Sequence, residues 1–529
     1  MRRPLILNGF MATGKSTIGG LVAQATGRPF IDLDRAIESE GRETIDRLFA
    51  TRGEASFRAL ERACLTRVLA EAESAAEAPV IAVGGGALMA RDVRLKALDE
   101  CVVVSLEGSP SELIRRALTQ PTRPLLAGGD PETRVRELLA QRAPGYAEAH
   151  ARINCEAPPE QVASAVREVW QRDELAVAVG EASYPVHIGR GVAFARLAAQ
   201  LKRSPVSVLV SDRNVTSLHG AALRSALREC SSKLVSVDFE PGEANKNIAS
   251  VEAVWRAALA GSADRQSTFV GFGGGVVTDM TGFAASTYMR GVRWVCVPTT
   301  LLAMVDASVG GKTGVDLESA KNAVGAFWQP SIVLCDIDLL ATESRRGFVS
   351  GLAEVVKTAL IGDPELFQLL EQQAESVAER DPELCAELVR RSIRVKARIV
   401  SFDEREGGLR ATLNLGHTIG HALEAHAGYT GLTHGEAVSL GLVVALRLGE
   451  RLGMTPVDLS QRSHDVLKRL GLPVTLDPKA LSAATQLIGH DKKRAGSSVR
   501  FVFARQLGRV ESLPIALSEL AAHVTTLAN

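Results

Sequence analysis

The residues Gly9-Phe10-Met11-Ala12-Thr13-Gly14-Lys15-Ser16 fit the pattern G-x-x-x-x-G-K-[ST]. A loop of this kind aims successive backbone N–H groups at a phosphate, and the helix that follows adds its N-terminal dipole. Lys15 then supplies a point charge to the β- and γ-phosphates, and the Ser16 hydroxyl can ligate Mg²⁺. The apolar Leu5-Ile6-Leu7 ahead of the loop predicts a strand, and helical spacing begins at Ser16-Thr17. The motif therefore stands in the strand–loop–helix context that its chemistry needs.

The residues that follow decide what such a loop would serve. Phe30-Ile31-Asp32-Leu33-Asp34 ends a second strand with two carboxylates on one face. Arg58 lies in a helical window after Gly53-Glu54, and Gly84-Gly85-Gly86 follow the strand Val80–Val83. Arg123 sits in Thr122-Arg123-Pro124-Leu125-Leu126, and Arg142 in Arg142-Ala143-Pro144-Gly145-Tyr146. Each arginine alone is more often a solvated surface residue. Together these features make Met1 to about Val169 resemble shikimate kinase.

That resemblance implies a three-layer α/β phosphate-loop domain that phosphorylates shikimate with ATP and Mg²⁺. Gly9, Ala12, Thr13, Gly14, Lys15, Ser16 and Thr17 would hold the nucleotide and its metal, with Asp32 near Mg²⁺. Asp34 would hold the substrate hydroxyls and help to activate the attacking one. Arg58 and Arg142 would grip the carboxylate, a task suited to a bidentate guanidinium. Gly84, Gly85 and Gly86 would let the substrate approach closely. Arg116 would stack on adenine, and Arg123 would lie on a lid and stabilise the transferring phosphate.

Further along, Gly273-Gly274-Gly275-Val276-Val277-Thr278-Asp279 follows an apolar strand ending at Phe272. Glycine there lets the backbone approach a pyrophosphate, although the run is not G-x-G-x-x-G and is a weak signal by itself. Pro298 to Gly314 is dense in small and polar groups within an apolar frame, and Lys321-Asn322 follows. Such a mixture suits a dinucleotide and phosphate site better than a core helix. Five of the ten histidines fall between His417 and His464. His417 and His421 stand at i, i+4, a spacing that can bind zinc, with Glu424 or His434 as a third ligand.

From about Leu175 to the C-terminus the chain resembles 3-dehydroquinate synthase. The match rests on the Pro298–Gly314 stretch, Phe348 to Lys357, Arg410-x-x-x-Asn414-Leu415-Gly416-His417, His421 and Thr433-His434-Gly435-Glu436. The resemblance implies Glu354, His417 and His434 as ligands of Zn²⁺ or Co²⁺, and leaves His421 to the substrate. It implies contacts to NAD from Asp212, Glu243, Lys246, Gly274, Gly275, Asp279, Thr299, Thr300, Lys312, Lys321 and Thr342. Lys312, Asn322, Arg410 and His421 would hold phosphate and transition-state charge, joined by Lys492 or Lys493, of which Lys492 is chosen. Lys357, Lys396 and Asn414 would hold carboxylate and hydroxyl groups, and Asp306 would contact substrate near the metal. The implied reaction takes 3-deoxy-D-arabino-heptulosonate 7-phosphate to 3-dehydroquinate and phosphate, with NAD⁺ reduced and regenerated in each turnover.

These groups need scaffolds. At 529 residues the chain is too long for one core. A break near Gln171-Arg172-Asp173-Glu174 separates two alternating strand and helix patterns, and Tyr184–Ile188 reads as the hairpin partner of a strand beginning at Leu175. Val206–Ser211, Leu234–Phe239, Thr268–Phe272, Trp294–Val297 and Ile332–Asp336 predict buried parallel strands, after which helical periodicity dominates from Phe348 to about Leu470. The expected organisation is an α/β chain: a kinase-like domain over 1–170, an α/β NAD-binding part over 171–345, and a mostly helical metal- and substrate-binding part over 346–529.

Lys+Arg balances Asp+Glu at 61 each, so nothing points to a nucleic-acid or membrane partner. Seven scattered cysteines without a C-x-x-C pair read as reduced thiols in a cytoplasmic protein. The synthase resemblance implies a homodimer. Two other readings share parts of this pattern: a metal-dependent polyol dehydrogenase, and a cyclase acting on another sugar phosphate. Lysines at 312, 321, 357 and 396 with Arg410 suit a phosphorylated acid better than a neutral polyol.

Overall fold

The computed structural model describes residues 3–119, 130–201, 204–228, 233–318, 320–428, 431–492 and 498–527. Arg123 and Lys493 lie outside the described residues, and Lys492 closes the helix Pro478–Lys492. The chain forms two compact units, Met1–Val186 and His187–Asn529.

The first unit carries a parallel sheet of β1 (Leu5–Gly9), β2 (Phe30–Asp32), β3 (Val80–Ala82), β4 (Val102–Glu107) and β5 (Ala151–Asn154), in the order β2-β3-β1-β4-β5. Side chains alternate across a strand, so each strand feeds two cores. Leu5, Leu7, Val80, Val102 and Val104 pack on one face with the helices Lys15–Thr26 and Pro159–Arg172. Ile6, Ile81 and Val103 pack on the other with the helices Ile45–Ser74 and Arg91–Glu100. Near-continuous apolar strands are what a sheet covered on both faces requires.

The next strands are β6 (Leu175–Val177), β7 (Tyr184–Gly189), β8 (Ser207–Asp212), β9 (Leu234–Phe239), β10 (Thr268–Gly273), β11 (Arg293–Pro298), β12 (Lys312–Leu317), β13 (Ala320–Phe327) and β14 (Val333–Asp336). The predicted hairpin is present, with Leu175 opposite Val186. The seven-stranded sheet has the order β6-β7-β14-β11-β10-β8-β9. Its strands from β8 to β11 are parallel, within a residue or two of the predicted spans. The chain runs outward from β8 to β9 and returns to β10 on the other side of β8. The strand order therefore reverses between β8 and β10, and the carboxyl ends there form the crevice in which α/β sheets bind ligands.

Among the described residues eight α-helices follow between Arg345 and Leu527, six of them before Leu470, where the periodicity predicts helix. Two antiparallel hairpins were not predicted: β12 with β13, and β15 (Ser498–Gln506) with β16 (Arg509–Ala516). The first carries Gly314 and Gly325 in its strands, and glycine weakens a strand signal. Among the described residues no helix is long and apolar enough to cross a membrane. The described cysteines Cys64, Cys101, Cys155, Cys296, Cys335 and Cys385 are buried and unbridged.

Candidate active sites

In the first unit the glycine-lysine loop joins β1 to the helix Lys15–Thr26, with Gly14 at its N-cap in the left-handed region (φ 86°). Lys15 Nζ donates to the carbonyls of Gly9 (2.9 Å) and Phe10 (2.8 Å), and Thr13 Oγ1 donates to Phe10 O (2.9 Å). The ammonium thus lies over the loop whose N–H groups would meet a phosphate. Asp32 Oδ1 accepts from the backbone N–H of Asp34 (3.1 Å) and caps the helix that carries Asp34.

A cavity of about 830 Å³ is lined by Arg58, Glu61, Gly86, Arg94, Arg134 and Arg142, among others. Arg58 donates to Glu61 Oε2 (2.6 Å) and Glu54 Oε1 (3.3 Å). Arg142 Nη1 (3.3 Å) and Tyr146 OH (2.6 Å) both donate to Gly85 O, fixing the glycine loop from the helix Pro131–Ala147. A Cβ on Gly86 would lie 2.3 Å from the Arg58 guanidinium, and one on Gly84 2.9 Å from Asp34 Oδ1, so a side chain at either position would displace a group assigned to the substrate. Sequence reasoning missed Glu61. Burial raises its pKa despite Arg58 beside it, and its i+3 spacing from Arg58 was the available signal. Arg116 pairs with Glu112 (2.6 Å) and donates to Cys155 O (3.2 Å).

In the second unit, Glu354 comes from the helix Arg345–Gly362, while His417 and His434 open the helices His417–His426 and His434–Arg451. The latter begins with a capping box between Thr433 and Glu436. A Cβ on Gly435 would lie 1.8 Å from Ser350 O, so only glycine lets this helix start against the helix of Glu354. Glu354 Oε1 lies 3.4 Å from His417 Nε2 and 3.3 Å from His434 Nε2. The three ligand atoms lie within 4.8 Å of one another, and two imidazoles with one carboxylate suit a catalytic zinc that keeps positions open.

The electrostatics fit a cation there. Burial opposes ionisation of Glu354, but Lys357, His417 and His434 outweigh it and hold the carboxyl well below its ordinary range. Burial, followed by the charge of Lys357, pushes His417 down to about 3, leaving the neutral imidazole that metal binding needs. Burial acts the same way on His434, yet Glu354 and Glu424 overcome it and hold a proton to about 10. Glu424 Oε2 lies 3.5 Å from His434 Nδ1, and its Oε1 accepts from Lys321 (2.6 Å). His421, Glu424 and His434 form an overlapping second triad, with His421 exposed.

Buried cations surround this cluster. Lys357 pairs with Glu354, and Lys396 pairs with Asp306, whose backbone oxygen it also reaches at 2.5 Å. Arg410 is buried and donates to Gly310 O (3.1 Å). Lys312 (2.6 Å) and Asn414 (3.4 Å) share the carboxylate of Glu406, a residue the sequence did not single out.

The glycine turn after β10 opens the helix Gly275–Thr287 with Gly274 as N-cap. Thr299 N donates to Gly273 O (3.0 Å), while its buried Oγ1 has no partner among the described residues, an orphaned group that a cofactor would satisfy. Thr300 Oγ1 accepts from Ala303 N (3.2 Å), and Asp212 Oδ1 from Val215 N (3.0 Å) at the end of β8. Lys246 donates to Asp279 (2.7 Å) and to Asn322 Oδ1 (2.5 Å), which brings Asn322 to two of the expected NAD residues. Lys321 reaches Glu243 at 3.8 Å, and Thr342 Oγ1 meets His219 Nε2 at 2.8 Å.

Residues 11–171 match the shikimate kinase family model. Residues 236–350 and 351–494 match the N-terminal and C-terminal models of 3-dehydroquinate synthase. The 3-dehydroquinate synthase of Acidithiobacillus ferrooxidans is 44% identical over 338 residues, covering 63% of this chain and 92% of that protein. Similar in structure is 2-epi-5-epi-valiolone synthase from Streptomyces hygroscopicus subsp. jinggangensis 5008 with NAD⁺ and Zn²⁺ bound, at 31% identity and TM-score 0.60 over 66% of this chain and 98% of its own. 2-Deoxy-scyllo-inosose synthase complexed with carbaglucose-6-phosphate, NAD⁺ and Co²⁺ shares the fold at 23% identity and TM-score 0.61, over 67% and 99% of the two chains.

Proposed function

We propose roles for the residues of a chain that belongs to the 3-dehydroquinate synthase family and carries a shikimate kinase ahead of it. It is a bifunctional shikimate-pathway enzyme. One activity phosphorylates shikimate with ATP, and the other converts 3-deoxy-D-arabino-heptulosonate 7-phosphate to 3-dehydroquinate and phosphate. The kinase uses Mg²⁺ with ATP, and the synthase uses NAD and a divalent metal such as zinc.

In the kinase, Lys15 turns from the loop carbonyls to the transferring phosphate, and the loop N–H groups hold its neighbours. Asp34 takes up the attacking hydroxyl's proton, and Arg58 and Arg142 grip the carboxylate in the cavity they line. In the synthase, Glu354, His417 and His434 hold the metal, and the turn at Gly274-Gly275 holds the pyrophosphate of NAD. When bound, these groups supply reversible hydride acceptance and polarisation of a substrate oxygen. Lys357, Lys396 and Asn414 orient carboxylate and hydroxyl groups. Arg410, Lys312 and His421 face the phosphate as it leaves.

The observation that carries the synthase reading is the Glu354–His417–His434 cluster ringed by buried Lys357, Lys396 and Arg410. Several cations gathered in one site suit a phosphorylated acid better than a neutral polyol, which disfavours a dehydrogenase. Phosphate release without net NADH, lost on chelation and restored by zinc, is the expected result. Net NADH would overturn it. The valiolone synthase likeness keeps a second cyclase substrate in view, and sedoheptulose 7-phosphate offered alone should give no phosphate release. The enzyme works as a cytoplasmic homodimer through its synthase half, a reading supported by the family and by the free buried thiols. Sedimentation of the full chain tests the dimer.

A further inference from the structure

The kinase family match ends at residue 171, yet the compact first unit runs on to Val186. Several bonds tie that added chain to the kinase. Arg3 Nε pairs with Asp173 (2.6 Å), Arg3 Nη2 donates to Glu174 O (2.9 Å), and Trp170 Nε1 donates back to Arg3 O (2.7 Å). Further on, Glu148 is 2% exposed and takes three donors: Arg94 Nε (2.6 Å), Arg91 (3.4 Å) and the backbone N–H of Gly180 (2.9 Å). Arg91 also donates to Ala178 O (3.3 Å). Gly180 is held in the left-handed region (φ 65°) by Ser183, whose Oγ accepts from Val179 N (2.9 Å) and donates to Gly180 O (2.6 Å).

The carboxylate of Glu148 fixes Arg94, and Arg94 lines the 830 Å³ cavity. The other end of Arg94 donates to Leu88 O (2.6 Å) and Met89 O (3.0 Å). Those carbonyls continue the loop of Gly84, Gly85 and Gly86, whose Gly85 O is held by Arg142 and Tyr146. The glycine loop and the residues that follow it are therefore held by two sets of donors. One set belongs to the helix Pro131–Ala147, and the other depends on a buried ion pair that the segment beyond the kinase completes.

We propose that residues Ala178–Ser183 are a positioning element of the kinase: through Glu148 and Arg94 they set the geometry of the loop that receives the acid substrate. This rests on the reading of the 830 Å³ cavity as the shikimate site. A buried carboxylate with fewer donors binds its arginine in a looser geometry, and the loop carbonyls move with it. A kinase cut at residue 170 lacks Asp173, Ala178 and Gly180 and so lacks those contacts.

The test uses the full chain, with synthase activity on the same protein as the control for folding. Two changes loosen the segment: Ser183→Ala removes the bonds that shape the turn, and Arg91→Ala removes the bond to Ala178 O together with the 3.4 Å contact to Glu148. Glu148→Gln weakens the ion pair itself. The expected result for Ser183→Ala with Arg91→Ala is a rise of about tenfold in KM for shikimate, the size of one bond to a buried charge, with kcat, KM for ATP and synthase turnover unchanged. Glu148→Gln should raise KM at least as far. A purely structural role would lower the active fraction without moving KM, and that result overturns the proposal. Should Glu148→Gln fail to fold, the paired Ser183 and Arg91 variant decides alone. Loss of shikimate phosphorylation by the unmodified chain would instead overturn the reading of the cavity.

Discussion

The two active sites manage charge differently. In the kinase, Lys15 lies against backbone carbonyls at the end of a strand, and Arg58 is partly open to solvent. In the synthase, three lysines are buried and face carboxylates: Lys357 with Glu354, Lys396 with Asp306 and Lys246 with Asp279. A backbone cradle keeps its shape when a side chain is removed. A site of interlocked buried ions does not, because removing one member strands another in low dielectric. Function and stability should therefore separate at the kinase's phosphate loop and stay joined in the synthase site.

The largest expected effect is on the kinase. Lys15→Ala should lower shikimate phosphorylation about a thousandfold by removing charge from the transferring phosphate, with the thermal unfolding profile and synthase rate unchanged. Loss of both activities in a folded variant would break the contrast. Glu354→Ala should abolish synthase turnover and also destabilise that unit by about 3–5 kcal/mol, since Lys357 is left buried and unpaired. Denaturant unfolding measures this, and an unchanged midpoint would refute interlocking.

Within the synthase, His434→Ala should lose metal and turnover, while His421→Ala should keep metal and lose turnover. Metal analysis of both purified proteins decides, and equal loss would move the site to the overlapping triad of His421, Glu424 and His434. The smallest effect concerns Glu343, whose carboxyl burial pushes up to about 7 although it accepts from Leu301 N. A carboxyl raised above its unfolded value of about 4.3 favours the folded state most at low pH, and that contribution fades as pH rises towards 7. Glu343→Gln should match the parent near pH 4 and exceed it by about 1–3 kcal/mol at pH 8. A parallel loss of stability with pH in both proteins would show that other groups govern it.

Local motifs were legible because their chemistry is local. The glycine-lysine loop needs its glycines and lysine in adjacent positions, and the strands of both sheets announce themselves as short apolar runs covered on two faces. The hairpin at 312–327 was not legible, since its strands carry exposed residues, charge and glycine. Glu61, Glu148 and Glu406 were missed for a related reason. An acidic residue in a helix or loop looks solvated until its neighbours are known; Glu61 has its partner at helical spacing, whereas those of Glu148 and Glu406 lie at distances in sequence that no periodicity encodes.

His417 and His421 show the same division from the other side. Spacing on one helix offered both as a metal pair, and only the resemblance to a family separated them. In the folded chain the nearest carboxylate to His417 comes from a helix more than sixty residues earlier, and His434 arrives on a third helix seated by Gly435 against Ser350. The sequence by itself determined the motif loops, the buried apolar strands and the motif side chains that could do chemistry. Tertiary structure alone decided which charges face one another, because electrostatic partnership depends on distance and burial, and both are properties of the packed chain.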